Sequence, residues 1–153
     1  MDDLTREESL ALLDESKVAH LGVVSDGEPY VTPMSFVRDG ETLLFRTVPG
    51  RKLEALRNHP SVCIEVSSFD DETGDWVSVI VTGTAAEVLD SATKQRAIDG
   101  LFRRYSSAIG DPLRPGGLQP LPRSSHVVGV TIEKITGLSS GRGFSPRTRP
   151  GRL

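Results

Sequence analysis

The chain is poor in residues that cross-link a fold or span a membrane. Its 153 residues include one cysteine, Cys63, one tryptophan and only 5% aromatic residues. A single cysteine excludes an internal disulfide, so the cytoplasm is the expected compartment. No apolar run reaches the ~18 residues of a membrane-spanning helix. The acidic start, residues 1–3, lacks the apolar core of a signal peptide, so we expect neither kind of segment.

An excess of positive charge is also absent. The formal net charge is −3 and the isoelectric point is about 5.6. General nucleic-acid binding needs a dominant basic surface, so this class of function is not expected. The hydrophobic fraction of 37% and charged fraction of 25% are those of a soluble globular protein, and the length suits one domain.

Side chains typical of a metal site or a covalent nucleophile are scarce. His20, His59 and His126 lack the mutual spacing of metal ligands, and we interpret His20 and His59 as structural. His126 opens the last predicted strand, where it could reach a ligand or simply pack. Cys63 alternates within a strand, which favours a buried structural thiol. No serine stands in a nucleophile elbow, so a hydrolase is not expected.

Hydrophobic periodicity predicts a mainly β, α+β fold: an antiparallel six-stranded barrel with flanking helices. The predicted strands span residues 18–24, 29–37, 42–47, 62–67, 76–89 and 127–135. The predicted helices span residues 5–15 and 51–58, and a third follows Asp90-Ser91 with an inward stripe of Ile98, Leu101, Phe102 and Tyr105. Gly83 indicates a bulge or a close backbone approach. Residues 110–123 are predicted to be a long loop, and residues 139–153 an arginine-rich polar tail.

The segment 45–52 has an unusual charge pattern. It predicts a strand end, a Pro-Gly turn and a helix whose first turn contains Arg51 and Lys52. The helix N-terminus is already positive, so each cation there costs roughly 0.3–1 kcal/mol. A bound phosphate would remove this conflict, because backbone N–H groups, helix dipole and both side chains would converge on it. The alternative is a solvated basic turn that is partly balanced by Glu54.

The chain lacks evident acid, base or metal groups, which favours a protein whose chemistry comes from a bound cofactor. Several segments together resemble the pyridoxamine 5′-phosphate oxidase-like family, which has the flavin-binding split-barrel fold. The resemblance runs from about Leu4 to Leu138. It rests on Phe45-Arg46-Thr47 with Gly50-Arg51-Lys52, on residues 58–62, on Pro33-Met34-Ser35-Phe36 and on residues 78–85.

This resemblance implies a site for flavin mononucleotide (FMN) within a split-barrel domain of residues 1–138. Thr47, Arg51 and Lys52 correspond to ligands of the flavin phosphate. The ribityl chain and ring would lie beside the segments Thr32 to Ser35 and Phe45 to Thr47, and Ser78 would complete the site, often from a partner subunit. The implied site residues are Thr32, Pro33, Met34, Ser35, Phe45, Arg46, Thr47, Arg51, Lys52 and Ser78. Trp76 is interpreted either as a residue that stacks near this site or as an ordinary core residue.

The chain also departs from the enzymes that oxidise pyridoxamine phosphate. Pro33 replaces their arginine, Ser78 replaces a glutamine, and Thr136-Gly137-Leu138 stands near the place of their C-terminal motif. The resemblance is therefore closer to the nitroimidazole-reductase-like branch of the family. It implies a flavin-dependent oxidoreductase that acts on a small electron-poor substrate, with NAD(P)H as a candidate reductant.

Two alternatives stay open, a deazaflavin-dependent reductase and a non-enzymatic flavin or haem carrier or redox sensor. The family further implies a homodimer with flavin at the interface.

Overall fold

The computed structural model describes residues 1–109 and 125–141. The predicted loop at residues 110–123 lies outside the described residues, as does the tail beyond Gly141. The three described helices are α1 Arg6–Glu15, α2 Arg51–Asn58 and α3 Ser91–Ile109. None of them is long and apolar enough to cross a membrane.

Local capping explains where two of the helices begin. The Thr5 side chain accepts a hydrogen bond from the Glu8 backbone N–H at 3.2 Å, and the Thr5 N–H donates to Glu8 Oε2 at 2.7 Å. This reciprocal pair is a capping box, the usual start of a helix at Thr-x-x-Glu. Asp90 Oδ2 accepts from the Thr93 N–H at 2.8 Å and so begins α3.

Among the described residues the sheet contains all six predicted strands and two further short ones. The eight strands are β1 Asp2–Asp3, β2 Ala19–Ser25, β3 Glu28–Met34, β4 Val37–Asp39, β5 Thr42–Thr47, β6 Ser61–Phe69, β7 Trp76–Glu87 and β8 His126–Ser139. The predicted strand at 29–37 is divided because Phe36 turns into the core. There its N–H donates to the Tyr105 hydroxyl at 3.1 Å, and the chain then changes pairing partner from β2 to β5.

The strands form one antiparallel sheet in the order β3-β2-β6-β7-β8-β5-β4, with β1 paired to the far end of β8. The sheet does not close, so the architecture is a split barrel with flanking helices. The β7–β8 register shifts between Thr82 and Gly83. A Cβ atom at Gly83 would lie only 2.1 Å from the Thr131 carbonyl oxygen, so the close approach needs glycine.

Alternating side chains of the strands fill the barrel with the buried faces of α1 and α2. Leu12, Leu13, Leu53 and Leu56 pack there with the inner residues of the strands. A smaller cluster under α3 is built from Leu44, Ala97 and Val127, with Ile98 packed against it. The predicted inward position of Phe102 is wrong, since this side chain is 53% exposed.

The elements α1, α3, β4 and the β4–β5 turn meet in a region that we call the α1–α3 end. Arg104 donates to the carbonyl oxygens of Asp14 at 2.6 Å, Leu13 at 3.0 Å and Ser16, and its guanidinium lies 4.9 Å from the centre of the Phe36 ring. These bonds satisfy carbonyl groups at the C-terminus of α1 that have no partner within the helix. Arg38 forms a two-bond pair with Asp14 at 2.8 and 2.6 Å.

The outer face of the sheet corrects two expectations. Cys63 is exposed on this face rather than buried. A Cβ atom on the neighbouring Gly22 would lie only 2.6 Å from the Cys63 sulfur. Trp76 is 36% exposed and is not a core residue. Both side chains project from the side of the strands opposite to the buried valines, which is the ordinary result of β alternation.

Candidate functional site

The connection from β5 to α2, residues 45–52, forms a compact turn that we call the anion turn. Gly50 is the N-cap of α2 and supplies no side-chain hydrogen bond to the helix. The first backbone N–H groups of a helix have no partner within it, so here they remain available to a ligand. The space beside Gly50 is open, because a Cβ atom there would meet nothing within 4 Å. The turn therefore offers backbone donors at the positive end of a helix.

Arg51 is held in place by two residues that are distant in the sequence. Its Nε donates to the Ser25 hydroxyl at 2.9 Å, and its guanidinium lies 4.0 Å from the centre of the Tyr30 ring. Ser25 is buried at the end of β2. These contacts use one nitrogen and one face of the guanidinium. Its terminal nitrogens have no hydrogen-bond partner in the part of the chain that the structure describes, so they can bind an oxyanion in a fork geometry.

Two further cations of the anion turn are partly desolvated. Burial lowers the pKa of the Lys52 ammonium group, whose nitrogen lies 6.0 Å from the centre of the Phe45 ring. Burial also lowers the pKa of Arg46. Within the described residues, neither cation nor Arg51 forms a salt bridge with a carboxylate. Three cations without a counter-charge are an arrangement that a bound anion would stabilise.

Strand alternation divides the residues of β5 between two faces. Phe45 lies in the main core and Leu44 in the smaller core under α3. Thr47 therefore shares the inward face with Phe45, whereas Arg46 starts from the opposite face. Arg46 and Thr47 are both half-buried.

Tyr30 lies on β3 and contacts Arg51, so β3 and its predicted site residues run beside the anion turn. Thr32 lies two residues further along the same face, about 7 Å away. Pro33 and Ser35 are exposed, while Met34 is buried in the core. A ligand beside β3 would thus meet Thr32, Pro33, Ser35 and only the backbone of Met34.

Ser78 is not brought to the anion turn within one chain. It pairs with Ser67 and Leu138 near the start of β7. Glu87 lies nine positions further along β7, at the end of the strand near the turn, which corresponds to a separation of about 30 Å. A single chain therefore assembles the predicted site without Ser78.

A hydrogen-bonded network lies beside the turn. His126 pairs directly with Thr47 across β8 and β5, and its Nδ1 lies 2.9 Å from Glu87 Oε1. Arg57 donates to both oxygens of Glu87, with Nε and Nη2 each at 2.9 Å. The bonds from Arg57, and secondarily the contact with His126, lower the pKa of Glu87, so this carboxyl stays ionised.

A cavity of about 160 Å³ adjoins this network. Its walls are formed by Leu53, Leu56, Arg57, Pro60, Ala85, Ala86, Glu87 and Val128. Pockets for drug-sized ligands and cofactors occupy roughly 300–1,000 Å³, so this cavity alone does not hold a flavin. Across residues 1–109 and 125–141, no group of three or more His, Cys, Asp or Glu side chains is arranged to hold a metal ion.

Sequence reasoning did not identify the residues that support the cations. The alternation of β3 predicts that Tyr30 points inward, but nothing in the sequence links it to Arg51. Ser25 belongs to a Ser-Asp-Gly turn, which predicts a hairpin and no contact with a helix 26 residues later. Glu87 and Arg57 are likewise brought to His126 only by strand pairing and helix packing.

Comparisons with known proteins agree with this architecture. The sequence model of a family described as pyridoxamine 5′-phosphate oxidase matches residues 5–139. An uncharacterized protein of Rhizobium meliloti is 27% identical over 148 residues, which are 92% of this chain and 95% of the relative.

Two solved structures are also similar. A FAD-binding protein from Mycobacterium smegmatis is 29% identical, with a TM-score of 0.67 over 90% of this chain and 98% of its own. A protein from Bacteroides thetaiotaomicron, described as a candidate 5-nitroimidazole antibiotic resistance protein, is 21% identical, with a TM-score of 0.72 over 89% of this chain and 85% of its own. Because the family match covers most of the residues and the split barrel is present, this chain belongs to the pyridoxamine 5′-phosphate oxidase family.

Proposed function

We propose that this protein binds a flavin, FMN, and that the anion turn holds its phosphate. The observation that carries the proposal is the group of cations at the start of α2 that have no carboxylate partner among the described residues. The Thr47 hydroxyl, the free nitrogens of Arg51, the Lys52 ammonium group and the open N–H groups of α2 are the donors that a phosphate monoester requires. A phosphate would also offset the burial that lowers the pKa of Lys52.

The family membership and the name of the Mycobacterium smegmatis relative support a flavin in particular. The ribityl chain and ring would lie along Thr32, Pro33, Ser35 and the backbone of Met34, with Arg46 beside them and Phe45 behind. When bound, the flavin would supply hydride and electron transfer. The protein would hold the phosphate, present one ring face to solvent or substrate, and contribute no catalytic acid or base.

The proposed activity is a flavin-dependent oxidation or reduction of a small electron-poor molecule, with NAD(P)H as the reductant. Pyridoxamine phosphate is a poor candidate substrate, since Pro33 stands where a charged contact is expected and is exposed without a basic replacement on β3. We place this activity in the cytoplasm, in keeping with the single cysteine.

A homodimer would complete the site. The outer face of β3-β2-β6-β7 exposes Val31 at 64% and Ile80 at 47%, which are apolar side chains on a sheet surface that the described helices leave open. A second copy on this face would cover these residues and would bring its Ser78 to the flavin of the first. A monomeric mass for the flavin-loaded protein in light scattering would reject this arrangement.

The decisive experiment identifies the cofactor. Purified protein should be yellow, with a flavin absorbance band at about 450 nm. Mass spectrometry of the molecule released by heat should identify FMN. Titration of cofactor-free protein with FMN, FAD, a deazaflavin and haem then ranks the alternatives. Colourless protein that binds none of the flavins at micromolar concentration would end the proposal, and preference for the deazaflavin or haem would replace it.

Turnover separates an enzyme from a carrier. Loaded protein should oxidise NADH or NADPH in the presence of quinones or nitroaromatic compounds, with steady-state kinetics. Tight flavin binding without any turnover across that panel would favour a carrier or redox sensor.

A further inference from the structure

The histidine at the start of β8 is held in one orientation beside the anion turn. We propose that His126 is a further phosphate-binding residue of this site, and that Glu87 and Arg57 are the positioning residues that orient it. The inference rests on the proposed function, because it assumes that a phosphate occupies the anion turn. It concerns the one half-buried histidine among the described residues, since His20 and His59 are exposed.

The first argument is position. His126 and Thr47 are direct partners across an antiparallel pair, so their side chains leave the sheet on the same face, with Cβ atoms about 4.5–5.5 Å apart. This is the inward face, which also bears Phe45 and Val128. A phosphate that accepts a hydrogen bond from Thr47 would therefore lie within reach of the imidazole ring.

The second argument is orientation. Glu87 lies on β7, on one side of β8, while Thr47 lies on β5, on the other side. His126 Nδ1 is bound to Glu87, so the other ring nitrogen, Nε2, is directed away from β7. Nε2 has no hydrogen-bond partner among the described residues, and the imidazole is therefore held at one nitrogen and available at the other.

The third argument is charge. Glu87 would repel a phosphate if its charge were uncompensated, but Arg57 binds both of its oxygens. The Arg57–Glu87 pair is neutral overall, so a protonated His126 adds a net positive charge to the site. When the ring is neutral and Nδ1–H donates to Glu87, Nε2 carries a lone pair and cannot donate to phosphate. Donation through Nε2 therefore requires the imidazolium form, which makes this contribution dependent on pH.

Several other charged groups lie on the elements around His126 and act on its imidazole ring. They are Glu87 on β7, Arg57 on α2, Arg51, Lys52 and Glu54 in the first turn of α2, and Arg46 on the opposite face of β5. Arg57 and Glu87 bind each other, which raises the pKa of Arg57 and lowers the pKa of Glu87, so this pair stays charged at neutral pH. Histidine is the side-chain type whose ordinary pKa lies between about pH 5 and 8, so a pH-dependent loss of FMN affinity in a His126 variant reports on the imidazole.

The test compares the wild type with His126→Gln, using His59→Gln as the matched control at an exposed position. Dissociation constants of cofactor-free protein for FMN and for riboflavin, which lacks the phosphate, are measured by fluorescence quenching at several pH values. The FMN phosphate has its own ionisation near pH 6, but this affects every variant equally and cancels in the ratio. We expect the variant to bind FMN about tenfold more weakly than wild type at low pH and almost equally at high pH. Riboflavin affinity and the control should not change.

Other results would overturn the inference in recognisable ways. A pH-independent loss, or an equal loss for riboflavin, would show that His126 merely supports the fold. An unchanged FMN affinity would exclude contact with the phosphate. If the wild type binds no flavin at all, the proposed function fails instead.

Glu87→Gln combined with Arg57→Gln is a second variant, which removes the carboxylate that orients the ring and keeps the net charge of the pair at zero. It should reproduce part of the pH-dependent loss for FMN and leave riboflavin affinity unchanged. A wild-type pH profile in this variant would reject the positioning role of Glu87.

Discussion

The two ends of the molecule use the same residue types in opposite ways. At the α1–α3 end the arginines have structural partners, because Arg38 pairs with Asp14 and Arg104 binds the last carbonyl groups of α1. At the anion turn, Arg46, Arg51 and Lys52 have no carboxylate partner among the described residues, and burial lowers the pKa of Arg46 and Lys52. A partly buried cation without a counter-charge destabilises the folded protein, so its presence at the anion turn indicates a role in ligand binding.

The largest expected effect is at the anion turn. The double variant Arg51→Ala/Lys52→Ala removes two charged donors, each worth roughly 1.5–3 kcal/mol, so FMN affinity should fall about a thousandfold. The unfolding midpoint of the cofactor-free protein should fall only slightly, because the variant loses the Arg51 bond to Ser25 and its contact with Tyr30 but no ion pair among the described residues. Calorimetric titration and thermal unfolding measure the two quantities. Loss of the fold with retained flavin binding would contradict the assignment.

At the α1–α3 end we expect a variant to lose stability while its FMN affinity stays unchanged. Arg104→Ala leaves the carbonyl groups of Leu13, Asp14 and Ser16 without their donor and removes the contact with Phe36. Unfolding free energy should fall by about 2–3 kcal/mol in urea denaturation. Arg103→Ala is the control, because that side chain is exposed one residue earlier. FMN affinity should be unchanged in both variants, and a selective loss of affinity in Arg104→Ala would remove the distinction between the two ends.

A smaller effect is expected from the residue that orients Arg51. Ser25→Ala removes the acceptor of the Arg51 Nε hydrogen bond while the cation itself is retained. FMN affinity should fall about fivefold, as for a typical single hydrogen bond. Riboflavin affinity should be unaffected. An equal loss for both ligands would mean that Ser25 acts on the fold of the β2–β3 hairpin.

The smallest effects should have opposite signs at the two ends. Lys52→Gln removes a desolvated charge and should stabilise cofactor-free protein by a few tenths of a kcal/mol, since water still screens much of the ammonium group. Arg38→Gln should destabilise by about 0.5–1 kcal/mol, because it breaks the two-bond pair with Asp14.

The sign for Lys52 follows from its lowered folded pKa. The charged form is disfavoured in the folded state, so wild-type stability should rise as pH increases from that value towards the free-lysine value. The advantage of Lys52→Gln should therefore shrink at alkaline pH. A constant advantage would refute desolvation as its cause.

The sequence predicts the strand, turn and helix of the site better than it predicts the residues that orient the site's cations. The strand, Pro-Gly turn and helix around Arg51 depend on local patterns, so their positions are confirmed within the described residues. The break at Ser35 in the predicted strand 29–37 could not be predicted. It depends on the hydrogen bond between Phe36 and Tyr105, and Tyr105 lies on α3, far along the chain. The exposure of Cys63 was missed for a related reason, since alternation alone does not tell which face of a strand is outside.

The supports of Arg51 and His126 are contacts between residues that are distant in the chain. Ser25 reaches Arg51 only when β2 and α2 pack together, and Glu87 reaches His126 only when β7 and β8 pair. The cations were visible in the sequence because helix electrostatics is local, whereas the residues that orient them are specified by tertiary structure.

Strand β8 has a consequence for how the chain acquires its fold. It pairs with β1, β5 and β7, and it brings Asp2 opposite Ser139. These contacts span almost the whole described chain, and such non-local pairing slows folding. We therefore expect the edge of β5 that faces β8 to stay unpaired in a nascent chain until β8 has left the ribosome, although the β4–β5 hairpin can form earlier. The cofactor can then be captured only once β8 is in place, and the partly made barrel presents open strand edges to chaperones in the meantime.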